Sequence, residues 1–116
     1  RPAYAAADVL LQTTRGPNLG TSVLEAMASG LPVLVAHRDE DERKMAVDTF
    51  DGLDIGVLSQ ATPEAISKAV RGLFENPSRL TTLRKEVRAF VERRHARQVV
   101  YPALADCYTK LERNLN

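Results

Sequence analysis

The sequence has one cysteine, no long apolar run and almost no excess charge, and each scarcity removes a class of protein. Cys107 is the single cysteine among 116 residues, so no disulfide forms within the chain. Its place in a helical pattern predicts a buried thiol kept in a reducing compartment. No apolar run approaches the roughly 20 residues that span a bilayer. A formal net charge of +1 gives no electrostatic case for a nucleic-acid partner. The glycines near residue 16 are not followed by Gly-Lys-Ser/Thr, so they do not make a P-loop. The length corresponds to about one small domain.

What is present centres on Thr13 to Ala36, TTRGPNLGTSVLEAMASGLPVLVA. Gly16-Pro17-Asn18 is a turn signal. Thr21 and Ser22 carry hydroxyls suited to the start of a helix. Val23, Leu24, Ala26, Met27 and Ala28 follow with helical spacing. Gly30 sits where a helix end favours a left-handed residue, and Pro32 prevents continuation. Val33 to Ala36 is a short apolar run of the kind covered on both faces of a parallel sheet, and Val9-Leu10-Leu11 is another. The order strand, loop, helix, strand is one βαβ unit. In an open α/β sheet, ligands bind beyond the carboxyl ends of the strands. The loop from Thr14 to Gly20 leaves such an end and enters a helix N-terminus, whose free N–H groups and dipole favour phosphates. Gly20 lacks a Cβ and would let a ligand approach the backbone. Glu25 stands one turn further in. Ser22 and Glu25 also fit the capping-box spacing, so Glu25 has a helix-starting role open to it as well.

The residues Ala7-Asp8-Val9, Leu19-Gly20, Glu25-Ala26-Met27-Ala28 and Gly30-Leu31-Pro32-Val33 resemble the donor half of the group 1 glycosyltransferases. These retain anomeric configuration and are built from two Rossmann-like domains (GT-B). The resemblance implies a nucleoside-diphosphate sugar as donor, UDP- or GDP-linked, and a sugar or lipid-linked acceptor. It gives Glu25 the ribose hydroxyls. The backbone amides of Leu19, Gly20 and Thr21, with the Thr21 hydroxyl, receive the donor's sugar and diphosphate. It implies no cofactor and no bound metal.

One departure stands out. The family's first Glu, which holds a hydroxyl of the transferred sugar, would fall at position 17, and this chain has Pro17. Asn18 follows in place of a glycine, and its amide is suited to take over that contact. With the Glu replaced, no catalytic residue is assigned. Two further readings stay open: a catalytically silent donor-binding or scaffold subunit, and a sugar-nucleotide epimerase of the same architecture.

After Ala36, His37-Arg38-Asp39-Glu40-Asp41-Glu42-Arg43-Lys44 places acids before bases. Asp39 suits a helix cap with Glu42 three residues on; a metal site in the acids is the sharper alternative. His37 either lines the pocket or lies in solvent. A strand is expected from Asp54 to Leu58. A helix opens at Thr62-Pro63 with Ile66, Ala69, Val70, Leu73 and Phe74 on one face. Asn76-Pro77 ends it, and the next helix buries Leu80, Leu83, Val87, Phe90 and Val91. That helix and its sequel carry Arg79, Arg84, Lys85, Arg88, Arg93, Arg94 and Arg97. They form either a solvated face or a surface for anionic lipid headgroups. Val100, Leu104, Cys107, Tyr108, Leu111 and Leu115 make a last apolar stripe.

The expected fold is α/β: a partial Rossmann-like three-layer α/β/α arrangement around a parallel sheet. Only three strands are expected, Val9 to Gln12, Pro32 to Ala36 and Asp54 to Leu58, a thin sheet with an exposed edge. Residues 1–116 thus read as the C-terminal part of one nucleotide-sugar-binding domain of a larger enzyme, and Arg1-Pro2 does not begin like a native start. The last helix, about 98–115, would cross to a missing N-terminal domain, and the isolated chain should not turn over. A cytoplasmic location is expected, with peripheral contact to the inner membrane face as the alternative.

Overall fold

A computed structural model describes residues 2–13 and 20–115. Helix α1 (Pro2–Ala6) leads into strand β1 (Leu10–Gln12), then α2 (Thr21–Ala28), β2 (Val33–His37), α3 (Glu40–Thr49) and β3 (Val57–Gln60). Three helices complete the chain, α4 (Pro63–Phe74), α5 (Pro77–His95) and α6 (Arg97–Leu115). The three strands form one parallel sheet in the order β1-β2-β3, with Leu10 opposite Val33 and Leu34 opposite Val57. The architecture is the expected partial Rossmann-like α/β fold, a small parallel sheet flanked by helices.

The central strand explains the core. Residues Val33 to Ala36 are all buried, so both faces of β2 are covered. Val33 and Val35 join one cluster with Val23 and Met27 of α2, Ala46 and Phe50 of α3, and Val87, Phe90 and Val91 of α5. Leu34 and Ala36 alternate to the other face and are equally buried, while α4 packs on β2 and β3. β1 is less enclosed than a central strand: its Leu11 is 44% exposed, because β1 has a neighbour among the described residues on one side alone.

Several ends form as the sequence indicates. Gly30 takes φ +75°, its N–H donates to the Met27 carbonyl and the Leu31 N–H to the Ala26 carbonyl, a left-handed helix stop. Asp39 accepts from the Glu42 N–H, Thr62 from Ala65 and Asn76 from Arg79, capping α3, α4 and α5.

Other expectations are corrected. The third strand begins at Val57 rather than Asp54 and runs on to Gln60, with Ser59 opposite Ala36 and buried. The residues before it make the turn behind α3, where Gly56 lies so close to the Phe50 ring that a Cβ would clash with Cε2. Phe74 is 51% exposed rather than on the buried face of α4. Cys107 is exposed, not buried. No residue of α6 is buried, because none of the described elements covers its stripe. With α6 projecting, the radius of gyration is 16.5 Å, against about 13 Å for a compact chain of this length.

The basic residues of α5 are less of a patch than the sequence suggests. Arg79 pairs with Asp54 and Glu86, Arg84 with Asp8, Arg88 with Glu92 and Arg94 with Asp51. Three of those acids lie outside the helix and its sequel, where a reading along the helix finds only Glu86 and Glu92.

Candidate functional site

The chain leaves the carboxyl end of β1 at Thr13, and the next described residue, Gly20, opens α2. The sequence places a polar, glycine-bearing stretch there for a physical reason: a parallel strand must hand over to a helix whose first N–H groups have no partner within the helix. Helix α2 starts at Thr21, and its N-cap is Gly20, with φ −63°, ψ 169° and no side-chain cap hydrogen bond. The Gly20 carbonyl accepts from Val23 N–H at 3.0 Å. Gly20's backbone is one that any residue adopts, and an added Cβ would have Ser22 Oγ at 3.8 Å as its nearest neighbour, an ordinary contact. Among the described residues, therefore, nothing requires glycine at 20. What glycine supplies there is open space against the backbone.

The capping-box reading of Glu25 does not survive this start. Ser22 is the second residue of the helix rather than its cap, so the Ser22–Glu25 spacing is not that of cap and third residue. Glu25 is half-buried instead, and the Tyr4 hydroxyl donates to its Oε2 at 3.2 Å from α1. Thr21 is exposed at the mouth of the helix. Gly20, Thr21 and Glu25 are thus brought together on the first two turns of α2. Asn18 and Leu19, the other expected donor contacts, lie outside the described residues, as does Pro17.

The neighbouring strand end contributes Arg38. Its Nη2 donates to the Thr13 carbonyl at 2.7 Å, and its backbone N–H donates to Glu42 Oε2 at 2.8 Å. Three of the four acids that follow are spent on local structure. Asp39 caps α3, Glu42 holds Arg38, and Glu40 takes Arg43 Nε on both carboxylate oxygens, at 3.0 and 2.9 Å. That hydrogen bond from Arg43, helped by the positive charges of Arg43 and His37, holds the Glu40 carboxyl below its ordinary value. Among the described residues, no group of three or more His, Cys, Asp or Glu side chains is disposed to hold a metal ion. His37 ends β2 half-buried, with its carbonyl accepting from Ala61 N–H at 2.8 Å.

Two residues of this site escape a reading of the sequence, Tyr4 and Arg38. Tyr4 acts across 21 positions and Arg38 across 25, and nothing in local spacing announces either partner. A surface hollow lined by Phe50, Leu53 and Val57 lies at the amino end of β3, the wrong end of the sheet for a ligand in this class of fold.

Compared with known proteins, residues 2–90 match the family model described as "Glycosyl transferases group 1". No curated protein and no solved structure matches the chain.

Proposed function

The chain belongs to the group 1 glycosyl transferases, and from that premise we propose that it supplies the donor side of a sugar transfer. Glycosyl transfer follows from the family. The finer assignment is that Glu25 binds the ribose hydroxyls of a UDP- or GDP-linked sugar. Gly20 and Thr21, with Asn18 and Leu19 before them, receive the diphosphate and the sugar. The observation that carries it is the start of α2. Its N-cap residue is a glycine that makes no side-chain cap bond, no described residue requires that glycine, and Glu25 is held one turn inside rather than used to begin the helix.

The chemistry follows from charge. As the glycosidic bond to the diphosphate breaks, negative charge grows on the leaving oxygens. First-turn N–H groups and the helix dipole, fixed in place by the buried Val23, Ala26 and Met27 behind them, meet that charge without reorganising. Transfer is to a sugar or lipid-linked acceptor with retention, and a further domain supplies the acceptor site. A donor-binding subunit without transfer activity is the second reading, favoured by Pro17 where the family carries the Glu that holds the transferred sugar.

Calorimetric titration of UDP and GDP into the full-length protein tests the assignment. Binding should weaken by about 1–3 kcal/mol in Glu25→Ala, the range for losing a hydrogen bond to a charged group. A folded protein that binds neither nucleotide would remove the donor-site assignment.

A further inference from the structure

We propose that Tyr4 is a positioning residue for Glu25, setting the carboxylate in the orientation that receives the donor's ribose. The inference rests on the donor-site reading above and adds a residue that none of the motif segments from Ala7 to Val33 contains. The Tyr4 hydroxyl donates to Glu25 Oε2 at 3.2 Å, and both side chains are half-buried. A glutamate on a helix surface has several rotamers to lose when it binds a ligand, and that ordering weakens binding. A phenol is a good restraint: its ring is rigid, it has few rotatable bonds, and its hydroxyl both donates and accepts.

The chain that follows Tyr4 is tied to α5. Helix α1 is a five-residue piece that cannot persist on its own. Its exit is fastened where Asp8 accepts from Arg84 Nη2 of α5 at 3.1 Å. The same α5 buries Leu83 and Val87, and it packs against α2, which carries Glu25. The same helix thereby meets both α2, which carries Glu25, and, through an exposed ion pair, the segment that follows Tyr4.

The variant Tyr4→Phe deletes only the hydroxyl. In the full-length protein it should lower affinity for the preferred nucleotide about three- to tenfold, the scale of one ordered side chain, with the melting temperature unchanged. In a Glu25→Ala background the same substitution should have no further effect, because Tyr4 acts through Glu25. Tyr4→Leu, which removes the ring as well, should weaken binding at least as much. If Tyr4→Phe leaves affinity at the wild-type value while Glu25→Ala lowers it, the positioning role is overturned and the donor site stands. Equal losses from Tyr4→Phe with and without Glu25 would also overturn it, since the hydroxyl would then act elsewhere. If Glu25→Ala itself leaves affinity unchanged, the donor-site reading falls and takes this role with it.

Discussion

Helix α2 buries Val23, Ala26 and Met27 within eight residues, whereas α6 runs for nineteen and buries none. Both carry apolar side chains at helical spacing. The difference is what the topology places opposite them. α2 crosses between β1 and β2 and meets α5, so its stripe closes on Val33, Val35, Val87 and Phe90. α6 follows α5 through Ala96 and leaves Tyr101 at 61%, Leu104 at 52% and Tyr108 at 62% exposure. Periodicity thus reports that a face is available for burial, and the neighbouring elements decide whether it is used. The comparison also bears on function. The helix that carries Glu25 is fixed by packing, which the proposed donor site would need.

The largest effect expected from this contrast is in the sheet. Leu34→Ala, at a fully buried position of β2, should lower unfolding free energy by about 2–5 kcal/mol in a urea titration. A loss under 1 kcal/mol would mean that the second face of the sheet is not closed. Gly56→Ala comes next, at about 1–3 kcal/mol, because its Cβ must displace the Phe50 ring, which itself packs edge-on to Phe90 with centroids 6.5 Å apart. Leu111→Ser on α6 should stay within about 0.5 kcal/mol in the same assay, as an exposed substitution does. A cost of 2 kcal/mol there would show the stripe to be covered, and the contrast with α2 would collapse.

The smallest effect is at Glu40. Its carboxyl is held below its ordinary value by Arg43, so its folded-state value lies under its unfolded one. Its contribution is present above the unfolded value and is lost as pH falls through the folded one. Both side chains lie at the surface, so Glu40→Gln should flatten the acid limb of a melting-temperature profile slightly and leave neutral pH almost unchanged. A large change at neutral pH would contradict the surface role given to these acids.

Much of the frame was legible in the sequence because it is written locally. Gly30 with Pro32, Asp39 with Glu42, Thr62 with Pro63 and Asn76 with Pro77 mark boundaries through bonds to near neighbours. The unread parts depend on distant ones. The third strand is displaced because Gly56 is required by the Phe50 ring rather than by a strand turn. Cys107 reads as buried because periodicity cannot tell a covered stripe from a bare one. The cations of α5 read as a patch because their acids, Asp8, Asp51 and Asp54, sit on other elements. Within the site, Glu25 and Gly20 were visible in the motif, whereas Tyr4 and Arg38 became visible only when the fold brought them to Glu25 and Thr13.

The central claim is that Glu25 holds the ribose. It is tested most directly by a thermodynamic cycle on the full-length protein, pairing Glu25→Ala with the preferred nucleoside diphosphate and its 2′,3′-dideoxy form. The dideoxy nucleotide should bind the wild type about tenfold or more weakly, and should bind Glu25→Ala as well as the parent nucleotide does, because carboxylate and hydroxyls are two halves of one interaction. If the hydroxyls matter equally with and without Glu25, the carboxylate does not touch the ribose and the assignment is wrong.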